Sequence, residues 1–212
     1  MKTRIKIIAT CAIAMTAVGA NADTVAIFGD IASSNGNTGA SFSGSVGYDF
    51  VSGNTGTLTV SLTNTTAPSI GGFLTGFVFD IAGVDAGASA TLSSATNSNF
   101  LNTGSENASP FGTFEAGAAL GANWSGGGNP SFGLAIGNTG TFEFLVTASD
   151  ASSLSASSFF GDTGDWFAVR FRGLDNGGSD KLLVNVVPLP SAAIAGLGML
   201  GLGLGVRTAR RR

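Results

Sequence analysis

The chain has 212 residues and a formal net charge of −3, and 43% of its residues are hydrophobic while only 11% are charged. It contains no histidine, and its one cysteine is Cys11, near the N-terminus. These absences exclude Ser-His-Asp and Cys-His triads, imidazole acid–base pairs and the common zinc sites, which leaves a carboxylate pair or a calcium site as the available chemistry.

Residues 1–22 have the pattern of a signal peptide. Three basic residues precede the apolar stretch: Lys2, Arg4 and Lys6. The stretch from Ile7 to Val18 carries no charge, and Ala20 and Ala22 supply the small residues that signal peptidase requires. About 12 apolar residues are too few to cross a hydrocarbon core of ~30 Å. The sequence therefore predicts export, with cleavage before Asp23.

The segment from residue 23 to residue 187, here called the ectodomain, is strongly acidic. It holds all 13 acidic residues of the chain but only three of its 10 basic residues (Arg170, Arg172 and Lys181), so its net charge is −10. Such a charge repels nucleic acid and anionic lipid headgroups, and it tolerates divalent cations. With 165 residues, the ectodomain is long enough for one domain with a full core.

Short segments in which apolar and polar residues alternate follow one another through the ectodomain. The clearest are 56–64, 73–81, 140–149, 166–173 and 182–187, and weaker ones are 25–31, 42–51, 88–94, 111–117 and 131–136. No window favours a helix, because β-branched residues, aromatic residues and glycine dominate. The pattern predicts an all-β fold: a single antiparallel β-sandwich, jelly-roll-like, with phenylalanines filling the space between its sheets.

The loop at 121–130 contains Trp124 among glycine, asparagine and serine residues. An exposed tryptophan in such a loop can stack on a sugar ring, whereas a buried one folds back onto the sandwich. The sequence leaves both interpretations open, and only the first gives a sugar contact. Trp166 and Tyr48 are expected in the core or at its rim.

Two short acidic segments are weak candidates for calcium binding, because hard cations take carboxylate and carbonyl oxygens. The first contains Asp162 and Asp165, and the second begins at Asp175 and ends at Asp180. Neither segment has the spacing of an EF-hand. The second also contains an Asn-Gly dipeptide, so a hairpin turn between two strands is the favoured alternative. Calcium is the one cofactor that the sequence leaves open.

Three glutamates, Glu106, Glu115 and Glu143, are spread along the ectodomain. Glycoside hydrolysis needs two carboxyl groups about 5–10 Å apart across a cleft. Nothing in the spacing of these residues favours such a pair over solvated strand faces. The sequence therefore predicts a protein that is not an enzyme, with a carboxylate-dependent glycoside hydrolase as the less favoured alternative.

The end of the chain combines a proline-marked break, an apolar run and a basic tail. Val187-Pro188-Leu189-Pro190 precedes an apolar run from Ser191 to Val206, whose 16 residues measure about 24 Å as a helix. The basic tail at 207–212 contains four arginines: Arg207, Arg210, Arg211 and Arg212. Arginines in this position are expected to stay in the cytoplasm, with the ectodomain on the other side of the membrane. The pattern predicts a transmembrane helix at 191–206.

This tail resembles the PEP-CTERM class of bacterial sorting signals, in its VPLPA variant. Leu189 stands where the commoner Pro-Glu-Pro form has glutamate, and Ser191 stands where the variant usually has alanine. Three ectodomain segments are also similar to those that commonly accompany such tails: 71–77, 170–174 and 178–181. The resemblance implies processing near Pro188 by a membrane-embedded exosortase and a role in biofilm or exopolysaccharide-associated surface layers.

The sequence thus predicts a signal peptide at 1–22, the ectodomain at 23–187 and a sorting signal at 188–212. We expect an exported structural or adhesive protein of the cell surface or extracellular matrix, anchored transiently in the inner membrane. Its expected partners are signal peptidase, an exosortase-type enzyme and extracellular polysaccharide. A secreted carbohydrate-binding module is the main alternative.

Overall fold

The computed structural model of the chain describes residues 23–161 and 164–187. These residues form thirteen strands and four short 3-10 turns, and none of them lies in an α-helix. The prediction of an all-β fold is confirmed for this part of the chain. The predicted signal peptide and the sorting signal at 188–212 lie outside the described residues, within which no helix is long and apolar enough to cross a membrane.

Six strands form the larger sheet, and every neighbouring pair in it is antiparallel. Their spatial order is β13 (Asn185–Val186), β1 (Asp23–Gly29), β2 (Phe42–Ser52), β3 (Thr55–Asn64), β10 (Thr139–Thr147) and β5 (Ser89–Ala95). The sequence of β3 explains why one of its faces is buried. Leu58, Val60 and Leu62 are fully buried and alternate with half-buried threonine and serine, the period of a strand with one covered face.

Five strands form the second sheet, which is also antiparallel. Their order is β12 (Ser179–Leu183), β11 (Phe167–Leu174), β4 (Gly71–Phe79), β9 (Ala116–Leu120) and β6 (Phe100–Asn102). A separate two-stranded ribbon consists of β7 (Glu106–Asn107) and β8 (Thr113–Phe114).

Phenylalanine rings fill the space between the two sheets, which we call the inter-sheet core. The ring of Phe77 in β4 lies 4.8 Å from that of Phe142 in β10 and 5.9 Å from that of Phe144. It also stacks on Phe167 of β11 at 5.6 Å. These contacts join the sheets face to face as a β-sandwich, and each buried ring contributes about 1.5–3 kcal/mol to stability.

A second apolar cluster lies on the outer face of the five-stranded sheet. Two of its members come from the sheet, Val78 and Ala168, and three come from the segments that cover it, Ala108, Phe114 and Trp124. These segments are residues 103–115, which include the two-stranded ribbon, and residues 121–130, and together we call them the loop layer. β4 is therefore covered on both faces, since Phe77 points inward and Val78 outward and neither is exposed. This double burial explains the uninterrupted apolar run of β4.

The prediction of a strand at 131–136 is wrong. Pro130–Phe132 form a 3-10 turn, and the side chain of Asn129 caps it by accepting a hydrogen bond from the Ser131 N–H at 3.1 Å. Proline is well suited to such a first turn because its missing N–H would have no partner there. Only an isolated bridge between Leu134 and Leu74 remains of the predicted pairing.

Two other predicted strands each divide into two. In 111–117 the chain breaks at Glu115, whose N–H turns to the Phe79 carbonyl at 3.2 Å, so that β8 and β9 belong to different sheets. In 182–187 it breaks at Val184, where the chain crosses from β12 in the five-stranded sheet to β13 in the six-stranded sheet.

The two ends of the ectodomain lie side by side on one edge of the six-stranded sheet. β13 pairs with β1, with Val186 opposite Ile27. The N–H of Val187 donates to the carbonyl of Ala26 at 3.0 Å. The first and the last described strands are therefore neighbours in the sheet.

Candidate functional site

The pairing of β11 with β12 brings the three basic residues of the ectodomain to one face. Arg170 lies opposite Lys181, and Arg172 lies opposite Ser179. Successive strand residues point to opposite faces, and Phe171, between the two arginines, is buried in the inter-sheet core. The three cations therefore lie on the outer face of the sheet, and we call them the basic clamp.

Each member of the clamp donates to backbone carbonyl oxygens of the loop layer. The bonds run from Arg170 Nη1 to Trp124 O, from Lys181 Nζ to Ser109 O, and from Arg172 Nη1 to Gly127 O (2.8 Å) and Gly128 O (3.3 Å). Carbonyls in irregular loops lack ladder partners, and a charged donor contributes about 1.5–3 kcal/mol where the bond is part-buried, as for Arg170 and Gly127, and less than about 1 kcal/mol where it is exposed, as for Lys181. The clamp thus fixes the loop layer to the sheet.

The clamp is a concentration of positive charge in an acidic domain. Burial, and then the charge of Arg172, lowers the pKa of Arg170, while burial and the charge of Arg170 lower the pKa of Lys181. The hydrogen bonds that these three side chains donate to the loop layer all go to neutral backbone carbonyls. The guanidinium carbon of Arg170 also lies 6.0 Å from the centre of the Trp124 ring, within reach of a cation–π contact.

Trp124 is buried, with 1% of its surface exposed, so its interpretation as a sugar-stacking platform is wrong. The alternative, a side chain that folds back onto the sandwich, describes it. The side chain of Asn123 holds the turn by accepting from the N–H groups of Ser125 and Gly126, at 2.9 and 3.1 Å. With the Trp124 carbonyl bound by Arg170, the indole is directed onto the sheet.

A cavity of about 430 Å³ lies beside the clamp, between the loop layer and the β11–β12 turn. Its walls include Arg170, Arg172, Ser125, Pro130, Gly178 and Ser179. Within the described residues, the buried Nε of Arg170 has no hydrogen-bond acceptor. The cavity thus combines two guanidinium groups, two hydroxyl groups and the apolar ring of a proline. Its volume lies in the range of ~300–1,000 Å³ that is typical of small-molecule sites.

Three of the four aspartates proposed for calcium lie among the described residues. Asp162 lies outside the described residues, and Asp165 lies at the start of the segment leading to β11. Asp175 lies in the tight turn that joins β11 to β12, and the prediction of a hairpin there is confirmed. In the described part of the chain, no three acidic side chains come close enough to share a metal ion.

Asp180 is a structural acceptor on the inner side of β12, with 3% of its surface exposed. It accepts hydrogen bonds from Ser34 Oγ at 2.5 Å and Gly36 N at 2.8 Å, and also from Thr38 and Lys181. Burial raises its pKa, but these bonds together outweigh burial and hold the pKa below the usual value. Asp180 therefore anchors the 34–38 loop to the sandwich.

The three glutamates lie on different elements, and each accepts a hydrogen bond. Glu106 accepts from Trp124 N at 3.4 Å, Glu143 from Ser94 Oγ at 3.1 Å and Glu115 from Ile81 N at 3.0 Å. Glu106 lies opposite Phe114 in the β7–β8 ribbon, while Glu143 lies on β10 in the six-stranded sheet.

The sequence did not single out Asp80, which lies at the end of β4 beside Glu115. Burial, and then the charge of Glu115, raises the pKa of Asp80 to about 6. Its side chain accepts from Glu115 N at 3.1 Å, while the side chain of Glu115 accepts from Ile81 N at 3.0 Å. The two carboxylates therefore hold the loop layer to the end of β4. No local motif marks this pair, because 35 residues separate its members.

The sequence indicated the composition of the clamp but not its geometry. Arg170 and Arg172 share a strand face by their spacing, yet their bonds to the loop layer join residues about 45 positions apart. A scan of the sequence against models of known protein families finds no match, and a search of curated proteins finds none either.

Proposed function

We propose that this chain is an exported bacterial protein of the cell surface or extracellular matrix, released from a temporary membrane anchor by cleavage in its C-terminal sorting signal. The patterns at 1–22 and 188–212 support this proposal. They provide an export signal, a VPLPA-like motif, an apolar run and a basic tail. Cleavage by an exosortase-type enzyme is the processing step that we infer.

The observation that carries the proposal is the position at which the sandwich ends. The last described hydrogen bond joins Val187 N to Ala26 O, and the motif begins at the next residue. Pro188 has no N–H to donate, so it ends strand pairing, and residues before proline favour an extended backbone. A cleavage site in this motif would therefore directly follow the last residue that pairs with the sandwich.

We also propose that the sandwich serves as a compact binding or adhesive module rather than an enzyme. The absence of histidine, and of cysteine after residue 11, supports this reading. After β3 the chain changes sheet repeatedly, as in the steps from β3 to β4 and from β10 to β11, and we describe this connectivity as jelly-roll-like. The cavity beside the clamp favours the alternative of a carbohydrate-binding module.

Mass spectrometry of the mature C-terminus tests the proposed function. We expect wild-type cells to yield a chain that ends near Pro188, and cells without the processing enzyme to yield a chain that ends at Arg212. Replacement of both motif prolines, Pro188→Ala with Pro190→Ala, is expected to have the same effect as loss of the enzyme. Pro68→Ala, an exposed proline in the ectodomain, is the matched control and is expected to be processed normally.

The opposite result is equally clear. If wild-type cells contain only protein that retains Arg212, the tail is a permanent anchor and the proposed processing does not occur.

A further inference from the structure

We propose that the cavity beside the basic clamp binds an anionic sugar residue, one that carries a carboxylate or a sulfate group. The inference rests on the proposed function, because a matrix protein outside the cell meets acidic exopolysaccharide. It assigns the sugar contact to the clamp and not to Trp124, whose ring is buried.

The distribution of charge favours an anion at this place. The ectodomain has 13 acidic residues, yet its three cations are gathered on one face, where they donate to neutral backbone carbonyls of the loop layer. Arg170 and Arg172 lie two positions apart on the same strand face, so their charges repel each other. An anionic group between the guanidinium groups would relieve this repulsion and supply the missing counter-charge.

The donors that remain on the two arginines match such a group. A guanidinium carries five N–H bonds in a planar fork, and the hydrogen bonds to the loop layer described above use only Nη1 of each arginine. The Nε of Arg170 is buried without an acceptor among the described residues. Carboxylate and sulfate groups present oxygens at the spacing of this fork, so they form paired, charge-assisted hydrogen bonds with it.

The rest of the cavity suits a sugar ring. Ser125 and Ser179 are exposed residues whose hydroxyl groups can exchange hydrogen bonds with sugar hydroxyls, and Pro130 offers an apolar surface. At about 430 Å³ the cavity has room for a ligand of this class. A net charge of −10 repels densely charged polyanions such as nucleic acid, so it favours a saccharide with few anionic groups.

Isothermal titration of the full-length protein in mild detergent tests this proposal. The probe is trigalacturonic acid, which is short enough to limit repulsion by the acidic surface, and its methyl ester is the uncharged control. A sulfated disaccharide forms the second arm, and inorganic sulfate the third. We expect one of the two charged sugars to bind at least ~10-fold more tightly than the methyl ester and inorganic sulfate.

The stronger of the two charged sugars identifies the anionic group. Equal affinity for both sugars supports the proposal without distinguishing carboxylate from sulfate. The proposal is contradicted if the methyl ester or inorganic sulfate binds as tightly as the charged sugars. It is also contradicted if the wild-type protein binds none of the probes.

Two variants separate the cavity from general electrostatics. Arg172→Gln and Lys181→Gln each remove one cation that holds the loop layer, but only Arg172 lines the cavity. We expect Arg172→Gln to weaken binding by ~10-fold or more, and Lys181→Gln to weaken it by about 2-fold or less. Equal losses in the two variants would show that net charge, not the cavity, attracts the sugar.

A third variant guards against loss of folding. Ser179→Ala changes an exposed cavity residue that is not one of the three cations holding the loop layer, so the thermal midpoint of the variant should match that of wild type. We expect affinity to fall by about 3-fold, the effect of one hydrogen bond. Unchanged affinity in both Ser179→Ala and Arg172→Gln would overturn the proposal.

Failure of this site and failure of the proposed function are distinguishable. If the C-terminus is processed near Pro188 and no probe binds, only the sugar site is wrong. If Arg212 is retained in wild-type cells, the proposed processing is wrong whatever the probes do.

Discussion

The inter-sheet core and the loop layer lie on opposite faces of the same sheet, and they are held by different forces. In the core, rings such as Phe77 and Phe142 meet 4.8 Å apart between regular strands. In the loop layer, the buried Trp124 belongs to a small apolar cluster on irregular backbone, which three cations fasten through its carbonyl groups. Because different forces hold the two regions, we expect the loop layer to open without unfolding the sandwich.

Removal of a central ring from the inter-sheet core should cause the largest loss of stability. Phe77 contacts four other phenylalanine rings and is fully buried, so Phe77→Ala leaves a cavity that the rigid sheets cannot close. We expect a loss of about 4 kcal/mol in the free energy of unfolding, measured with urea. Phe132→Ala, a ring that is 53% exposed, is the control and should change stability by less than about 0.5 kcal/mol. Similar losses in the two variants would contradict the account of the core.

Asp180 and Lys181 are neighbours on β12 that belong to different regions. Asp180 faces inward, whereas Lys181 faces the loop layer. Asp180→Asn removes a buried charge that accepts several part-buried hydrogen bonds, and we expect it to cost about 2–3 kcal/mol at pH 7. Lys181→Gln loses one exposed bond and should cost less than about 1 kcal/mol. Urea titrations of both variants provide the measurement, and the reverse order would contradict the assignment of the two faces.

The pH dependence of Asp180 has a definite sign. Its pKa in the folded protein lies below the usual 3.8, so its contribution is present above pH ~4 and is lost as the pH falls through the folded pKa. The difference between wild type and Asp180→Asn should therefore shrink below pH ~4.

Asp80 lies where the core meets the loop layer, and its effect has the opposite sign. Its pKa rises from 3.8 to about 6 on folding, so the folded state binds more protons between these values, and stability falls as the pH rises through them. Asp80→Asn removes the charge and keeps an acceptor for Glu115 N. We expect it to stabilise the protein by about 1 kcal/mol at pH 7.5. This value is smaller than the pKa difference alone would give, because solvent screens the half-buried side chain. Near pH 4 we expect no effect. A stabilisation that is equal at both pH values would contradict the raised pKa.

The elements that could be predicted from the sequence are those whose pattern is local. The alternation in β3 and β10 predicted both strands and their buried faces, because one covered face imposes a period of two. The turn after Asp175 was predicted from its Asn-Gly dipeptide.

The features that could not be predicted depend on partners far along the chain. Trp124 is buried against Val78 and Ala168 of the sheet, and its carbonyl accepts from Arg170, 46 residues away. Asn64, the last residue of the predicted strand 56–64, is fully buried, and its Nδ2 donates to the carbonyls of Gly72 and Leu134. No composition or spacing near these residues carries that information.

Amide hydrogen exchange of wild type and Arg170→Gln compares the two regions in one experiment. The variant removes the clamp bond to Trp124 and leaves the inter-sheet core intact. We expect amides of the loop layer, such as that of Gly127, to exchange about 10-fold faster in the variant, while those of β3 and β10 keep the wild-type rate. Equal acceleration in the loop layer and in both strands would mean that the two regions unfold together, and the separation argued for here would be wrong.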